Sequence, residues 1–109
     1  MLFKSNKIEV RESSLHGYGV FANEDINKDE KIEECHCVII RKDYAVGEEL
    51  NVYTFGYDDT LAIVFGFASI YNSSEGEDNQ NVEYSIENEI YTFKAIKDIK
   101  KDEELLLNY

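Results

Sequence analysis

Short apolar segments that alternate with polar residues recur along most of the chain, and this pattern constrains the fold more than any other feature. Alternation with a period of two places successive side chains on opposite faces of a strand, so each segment predicts a half-buried β-strand. Helical periodicity is weak by comparison. The sequence therefore favours an all-β or mostly β domain, with strands predicted around residues 8–10, 20–22, 35–40, 82–86, 90–95 and 105–107.

Turns in this chain must come from Gly, Asn and Asp, because the sequence contains no proline. The Glu-Asn-Glu segment at residues 87–89 predicts a hairpin turn between Ile86 and Ile90, since Asn tolerates left-handed backbone geometry. Residues 72–81 are rich in Ser, Gly, Asp and Asn and predict the longest loop. The best helical candidate is residues 43–55, although its β-rich end and Gly47 oppose a helix.

Length and charge narrow the class of protein. A chain of 109 residues suits one domain with one core. The sequence has 23 acidic against 11 basic residues, a net charge of −12, which disfavours a nucleic-acid partner because phosphate binding depends on Lys and Arg. Between Lys42 and Lys94 it has eleven Asp and Glu and no Lys or Arg. This stretch either attracts a basic protein or peptide, or is simply a solubility surface.

The longest apolar run, residues 61–71, is shorter than the roughly 20 residues that a membrane-spanning helix needs. The N-terminal residues lack a signal-peptide pattern.

Cys35 and Cys37 face the same way on a predicted strand but lie about 6.5–7 Å apart, at the upper limit of disulfide geometry. Two thiols around His36 do not complete a four-ligand zinc site. We therefore expect a protein that is neither secreted nor membrane-bound, with free thiols in a reducing intracellular compartment and no metal.

One internal similarity links residues 25–32, Asp-Ile-Asn-Lys-Asp-Glu-Lys-Ile, with residues 98–105, Asp-Ile-Lys-Lys-Asp-Glu-Glu-Leu. Both combine an apolar residue, a polar turn and the start of a strand. Eight residues are too few for a repeat architecture. The similarity predicts two alike turns in a β fold.

Three separated segments contain the residues best suited to chemistry. They are residues 14–22, Ser-Leu-His-Gly-Tyr-Gly-Val-Phe-Ala; residues 66–74, Gly-Phe-Ala-Ser-Ile-Tyr-Asn-Ser-Ser, followed by Asn81-Val82; and residues 103–109, Glu-Glu-Leu-Leu-Leu-Asn-Tyr. Taken singly, they are explained by a tight turn, a loop-closing Asn and a core strand. The Gly-x-Gly lacks the third glycine and the helix of a dinucleotide fingerprint. Together, in this order and spacing, they resemble the SET domain family of protein-lysine methyltransferases, and most of all the minimal viral SET proteins.

The resemblance covers about residues 8–109 and implies a single SET domain over residues 1–109 with a β-clip fold of several small sheets. The C-terminal segment would thread beneath a loop near Asn72 in a pseudoknot-like way. S-adenosylmethionine would lie in one cleft, and a lysine would enter a narrow channel from the opposite side. Position by position, the resemblance implies that Gly17, Tyr18, Gly19, Asn72 and Ser73 bind the cofactor, that Tyr109 is the catalytic tyrosine, and that Tyr53, Phe55 and Tyr91 line the substrate channel.

The sequence departs from the family pattern at several positions. Ser73 replaces the family's histidine, and Asp29 and Asp102 replace the glycines of its Lys-Gly-Glu turns. Many relatives continue beyond the position of Tyr109 with a segment that completes the lysine channel, often with a zinc-binding cysteine cluster. We expect no such post-SET segment here and no zinc. The α-carboxylate of Tyr109 would then favour the ammonium form of the substrate lysine and oppose methyl transfer.

The predicted function is transfer of a methyl group from S-adenosylmethionine to a lysine of a basic protein, histone-like or other. An aromatic channel lowers the lysine pKa from its usual value of about 10.4 and holds the amine in line with the methyl group. The first alternative is a catalytically weak or inactive SET-fold module that binds basic peptides. The second is an acidic β domain whose motifs match by chance, which predicts that Asn72 lies far from Gly17 and Tyr109. A homodimer, and a location in the cytoplasm or a host nucleus, are compatible with the resemblance.

Overall fold

The computed structural model describes residues 2–15, 17–40, 54–57, 60–64, 66–68, 70–74 and 78–108, with the backbone alone for 38–40, 54–57 and 60–63. Regular structure within these ranges is entirely β, which confirms the predicted fold class. The strands are β1 (Ile8–Glu12), β2 (Tyr18–Ala22), β3 (Lys31–Ile40), β4 (Thr54–Tyr57), β5 (Thr60–Val64), β6 (Asn72–Ser73), β7 (Val82–Glu87), β8 (Ile90–Ala95) and β9 (Glu104–Leu107). No helix in these ranges is long and apolar enough to cross a membrane.

One sheet has the strand order β1-β2-β9-β6. β1 and β2 form an antiparallel hairpin, in register from Ile8 opposite Ala22 to Glu12 opposite Tyr18. β9 pairs antiparallel with β2 on one side and parallel with the two-residue strand β6 on the other. The last of the described strands therefore joins two segments that are far apart in the sequence.

The other sheet has the order β4-β5-β3-β8-β7. β3 is long enough to pair with β8 through its first half and with β5 through its second half. The β7–β8 hairpin turns at Asn88 and Glu89, whose φ angles of 52° and 62° are those of a type I′ turn. This confirms the hairpin turn predicted between Ile86 and Ile90, with Glu87 belonging to the strand.

The two alike turns predicted from the internal similarity lie against each other. Ile26 and Ile99 exchange backbone hydrogen bonds, with N···O distances of 2.7 Å and 2.8 Å. Their side chains are almost wholly buried, at 1% and 0% exposure. The repeated apolar residue of each turn therefore anchors the pair in the core.

Each turn also supplies a side-chain acceptor to the other. Asp25 Oδ1 accepts a hydrogen bond from the Lys101 backbone N–H, and Asp98 Oδ1 accepts one from the Lys28 backbone N–H, both at 2.8 Å. Because the arrangement is reciprocal, the two turns are held by matching contacts. This explains why the same residue types recur in both segments.

The aspartates that stand where the family has glycine adopt a conformation that favours glycine. Asp29 has a φ of 70° and Asp102 a φ of 74°. Left-handed backbone is costly for most residues with a Cβ atom, and Asp is among the few that tolerate it. The structure thus accounts for both the family's glycine and its replacement here.

Burial alternates along β8 and β9, as the sequence pattern predicts. Each fully buried aliphatic or aromatic side chain contributes about 1.5–3 kcal/mol to folding. The same core receives residues from both sheets and from the paired turns. Its largest fully buried apolar side chains are Tyr91, Phe93, Ile26, Ile32, Ile99, Leu105, Leu107, Val20, Val64 and Val82.

Two local expectations were wrong in part. The candidate helix at residues 43–55 lies outside the described residues up to 53, and Thr54 and Phe55 begin β4 instead of continuing a helix, because β4 pairs antiparallel with β5. The loop expected over residues 72–81 starts later, since Asn72 and Ser73 pair with β9 as strand β6.

Both cysteines are free thiols. Cys35 is 3% exposed, and burial, reinforced by the neighbouring Glu33, raises the pKa of its thiol well above the ordinary range. Burial also raises the pKa of the Cys37 thiol, which contacts the Glu89 carbonyl oxygen at 3.4 Å. Both thiols are therefore protonated at neutral pH and are poor nucleophiles.

Candidate functional site

The segments predicted to form the cofactor cleft meet at the sheet that contains β2, β9 and β6. Asn72 Nδ2 donates a hydrogen bond of 3.1 Å to the backbone carbonyl of Tyr18. β9 lies between these two strands and pairs with both of them. This convergence argues against the chance-match interpretation, which predicted Asn72 far from Gly17.

A single carboxylate joins the converging segments. Glu104 Oε2 accepts a hydrogen bond of 2.7 Å from Asn72 Nδ2, and Glu104 Oε1 accepts one of 2.8 Å from Ser13 Oγ. Ser13 belongs to the turn before β2, which its backbone N–H closes with a 2.7 Å hydrogen bond to the Gly17 carbonyl. The side chain of Glu104 is thus bonded to β6 and to the turn that leads into β2.

The two glycines of this bend serve different physical purposes. Gly17 has a φ of +47°, a left-handed conformation that favours glycine, and apart from its chain neighbours no atom of the described residues lies within 4 Å of where a Cβ would stand. A Cβ on Gly19 would overlap the Glu104 carboxylate and lie 3.0 Å from Asn72 Nδ2. Gly19 therefore leaves the space that the Glu104 side chain occupies.

The second asparagine of the middle motif holds β9 in place. Asn81 is 6% exposed, and its Nδ2 donates to the Glu104 carbonyl at 2.9 Å while its Oδ1 accepts from the Leu106 N–H at 2.7 Å. These two hydrogen bonds satisfy backbone groups on the strand that carries Glu104. Asn81 is therefore a structural anchor of the site.

A buried polar cluster fixes the chain just before Asn72. The Tyr71 hydroxyl donates to Glu33 Oε1 at 2.7 Å, and the Phe67 backbone N–H donates to Glu33 Oε2 at 3.3 Å. Outside this cluster, the Lys4 ammonium lies 3.3 Å from the centroid of the Phe67 ring. Glu33 thus ties the turn that precedes β6 to β3.

The structure brings together five of the residues predicted for the site: Gly17, Tyr18, Gly19, Asn72 and Ser73. Tyr18 is 63% exposed, and Ser73 is also exposed beside the half-buried Asn72. Their proximity is a structural finding. Their roles in binding a cofactor stay predictions.

The residues predicted for catalysis and the substrate channel are described less completely. Tyr109 and Tyr53 lie outside the described residues, and Phe55 is described by its backbone alone, in β4. Tyr91 is on β8 in the other sheet with 0% exposure, and its ring centroid is 5.5 Å from that of Tyr84. Their roles in the channel also stay predictions.

Sequence reasoning missed the roles of Ser13, Glu33 and Glu104. A signal for Glu104 was present in the Glu-Glu pair of the third segment, but the pair does not reveal which carboxylate faces inward. Ser13 and Glu33 lie outside the three motifs.

Among the residues that the structure describes, no group of three or more His, Cys, Asp or Glu side chains is placed to hold a metal ion.

Residues 17–109 match the family model of the SET domain, so the chain belongs to the SET domain family. This is the family that the three motifs resemble. No curated protein matches the sequence at significant similarity.

Among solved structures, one similar chain is a Plasmodium falciparum protein provisionally assigned as a histone methyltransferase. It is 31% identical with a TM-score of 0.79, and the match covers 96% of this chain and 94% of that one. The methyltransferase domain of human PR domain-containing protein 2 shares the fold, with a TM-score of 0.72 at 21% identity over 94% of this chain and 76% of that one.

Two further similar structures come from Polycomb Repressive Complex 2. One is a humanized mutant of the Chaetomium thermophilum complex bound to the inhibitor GSK126, with 28% identity and a TM-score of 0.76 over 97% of this chain and 15% of that one. The other, ctPRC2 in an autoinhibited conformation, is bound to S-adenosylmethionine, with 29% identity and a TM-score of 0.74 over 94% of this chain and 15% of that one. The match thus spans a small part of those long chains. Family membership and these neighbours support a methyltransferase in general.

Proposed function

We propose that this protein is a protein-lysine N-methyltransferase that transfers a methyl group from S-adenosylmethionine to a lysine of a basic protein, histone-like or other. The observation that carries the proposal is the hydrogen-bonded junction of Asn72, Tyr18 and Glu104 in a chain of the SET domain family. Structures similar to this chain include a methyltransferase domain and a complex bound to S-adenosylmethionine.

The residues at the junction suit that cofactor. The open space beside Gly17 lets a ligand approach the backbone closely, and the exposed ring of Tyr18 lies next to it. The Asn72 carboxamide provides an acceptor for an ammonium group. When bound, S-adenosylmethionine supplies a methyl group on a positively charged sulfur, which backbone carbonyl oxygens and the Glu104 carboxylate favour electrostatically.

Aromatic residues from other segments complete the proposed reaction site. In the proposed mechanism, Tyr53 and Phe55 would line a channel that removes the substrate amine from water, which would lower its pKa and yield the neutral nucleophile. The Tyr109 hydroxyl orients that amine toward the methyl group, so the two reactants meet in a fixed geometry. Tyr91 has no exposed surface, so its contribution is to pack behind the channel wall.

Charge supports a basic substrate. The sequence has a net charge of −12, and its stretch without Lys or Arg lies between Lys42 and Lys94. A negative field accelerates the encounter with a lysine-rich protein and weakens as salt rises. We also propose that the protein acts inside the cell, in the cytoplasm or a host nucleus, as a single domain compatible with self-association.

The test is methyl transfer from S-adenosylmethionine to histones and to lysine-rich peptides, followed by mass spectrometry. We expect products that are 14 Da heavier per methyl group, and loss of this product in Tyr109→Phe. Tyr84→Phe, on the outer strand β7, is the matched control and retains activity. Failure of the purified protein to bind S-adenosylmethionine in calorimetry would overturn the enzyme proposal while leaving the fold intact.

A second candidate function is a SET-fold module that binds basic peptides without methylating them. Ser73, where the family has histidine, favours it because a hydroxymethyl group replaces the larger imidazole in the predicted cofactor cleft. Peptide titration at several salt concentrations separates the two functions. Both predict salt-sensitive binding, and the enzyme alone predicts a methylated product.

A further inference from the structure

We propose that Glu104 is a positioning residue for the cofactor, because its carboxylate sets the orientation of the Asn72 carboxamide. The inference rests on the proposed function, in which Asn72 contacts the amino-acid part of S-adenosylmethionine. Glu104 itself need not touch the ligand. Its contribution is to decide which atom of Asn72 faces the cleft.

The two acceptors beside Asn72 fix its amide. Asn72 Nδ2 lies 2.7 Å from Glu104 Oε2 and 3.1 Å from the Tyr18 carbonyl oxygen. A carboxylate and a carbonyl accept hydrogen bonds and do not donate them, so the nitrogen of the amide must face them. The Oδ1 atom therefore lies on the other side of the amide, and the proposed function assigns this oxygen to the ammonium group of S-adenosylmethionine.

The Glu104 carboxylate is in turn held by two hydrogen bonds and lies in the space beside Gly19. Ser13 Oγ donates to its Oε1 at 2.8 Å, Asn72 Nδ2 donates to its Oε2, and the missing side chain of Gly19 leaves the space that it fills. The side chain is half-buried, so its hydrogen bonds are partly shielded from competing water. A shift of the bend around Gly19 would therefore be transmitted to Asn72.

The experiment compares Glu104→Ala with Glu104→Gln and uses Glu103→Ala as the matched control. Glu103 is the preceding residue and its side chain is exposed, so its removal changes the charge without touching the junction. Glutamine retains an oxygen that can accept from Asn72 while its amide nitrogen donates to Ser13. Alanine retains neither contact, so the conservative variant should rescue most of the effect.

Calorimetry measures binding of S-adenosylhomocysteine, which has the amino-acid part, and of 5′-methylthioadenosine, which lacks it. In Glu104→Ala we expect affinity for S-adenosylhomocysteine to fall about tenfold, the equivalent of one hydrogen bond to a charged group. Affinity for 5′-methylthioadenosine should change less than about twofold in the same variant. Equal losses for both ligands, or a loss matched by Glu103→Ala, would overturn the inference.

A second measurement needs no ligand. In the nuclear magnetic resonance spectrum of the free protein, the side-chain NH₂ signals of Asn72 should move in Glu104→Ala and stay in place in Glu103→Ala. Unchanged signals in Glu104→Ala would also overturn the positioning role. If the wild-type protein binds neither ligand but these signals move, the proposed function fails and the orientation of Asn72 by Glu104 stands.

Discussion

The hydroxyl of Tyr71 donates a 2.7 Å hydrogen bond to the carboxyl group of Glu33, and both residues are almost entirely buried, at 3% and 1% exposure. Removal of a donor to a buried carboxyl group leaves that group without one of its partners and costs free energy. We expect Tyr71→Phe to lower the free energy of unfolding by about 1–3 kcal/mol, measured by urea denaturation. Tyr18→Phe, whose side chain is 63% exposed, should leave the unfolding curve unchanged. Equal curves for wild type and Tyr71→Phe would contradict the expectation.

The two left-handed aspartates provide a matched pair of substitutions. Asp29→Gly should raise the free energy of unfolding by about 0.5 kcal/mol. Glycine has no Cβ atom and so removes the steric strain of the left-handed conformation at φ 70°, and this gain outweighs the extra freedom of glycine in the unfolded chain. Asp102→Gly should raise the free energy of unfolding by less, because it also removes an ion pair in which Asp102 Oδ1 lies 2.9 Å from Arg11 Nη1. Urea midpoints at low salt would show the difference, which should shrink in high salt. A larger gain for Asp102→Gly would refute this assignment.

Gly19 and Glu104 should be energetically coupled. Gly19→Ala displaces the carboxylate and should cost about 1–2 kcal/mol of unfolding free energy through the hydrogen bonds that it breaks. Because Glu104→Ala removes the obstructing atoms, the double variant should be about 1 kcal/mol more stable than the sum of the single effects. Cys37→Ala serves as the control, since the Cys37 thiol contacts the Glu89 carbonyl oxygen at the β7–β8 turn, in the other sheet. Its effect should add to that of Glu104→Ala, and additivity for Gly19→Ala would disprove the coupling.

The buried thiol of Cys35 should make stability fall in alkaline solution. Burial raises the pKa of this group in the folded protein above its value of about 8.5 in the unfolded chain. The stability linked to the protonated thiol is therefore complete below about pH 8.5 and is lost progressively as the pH rises toward the folded-state pKa. We expect the unfolding free energy of wild type to decline faster than that of Cys35→Ala between about pH 8 and 10, in urea titrations. Parallel declines would show that the thiol does not contribute.

Iodoacetamide gives an independent measurement on the same residue. Native Cys35 should react far more slowly than the same thiol in urea at pH 8, because it is 3% exposed and protonated. Peptide mapping after a timed reaction would distinguish it from Cys37, which is partly exposed. Rapid labelling of Cys35 in the native protein would contradict the burial.

Sequence patterns predicted the strands whose burial alternates and the hairpin turn at Asn88. These features depend on local periodicity and on one residue's tolerance of left-handed geometry, and both can be read from neighbouring residues. The short strand β6 could not be predicted in this way, because its two residues pair with β9, which is distant in the sequence. Long-range pairing decided that element, and no local propensity marks it.

At the candidate site, too, some features could be predicted from the sequence and others depended on contacts between distant segments. The motifs predicted that residues 17–19, Asn72 and the C-terminal segment converge, and their order along the chain was informative. The motifs did not distinguish Glu104 from Glu103, because two adjacent acidic residues have the same local composition and differ in the face of the strand they occupy. The role of Gly19 likewise depends on a side chain from β9 and required the three-dimensional structure.

The central position of β9 has a consequence for how the protein is made. A ribosome synthesises β1, β2 and β6 well before β9, yet β9 is the strand that lies between β2 and β6. Until it emerges, these strands have unpaired edges, and the core lacks Leu105 and Leu107, which are 0% and 1% exposed in the finished protein. Exposed edges and unfilled cores make nascent chains prone to aggregation. Assembly of this sheet therefore waits until β9 has been synthesised, and a chain stalled before Glu104 leaves the edges of β2 and β6 without their shared partner.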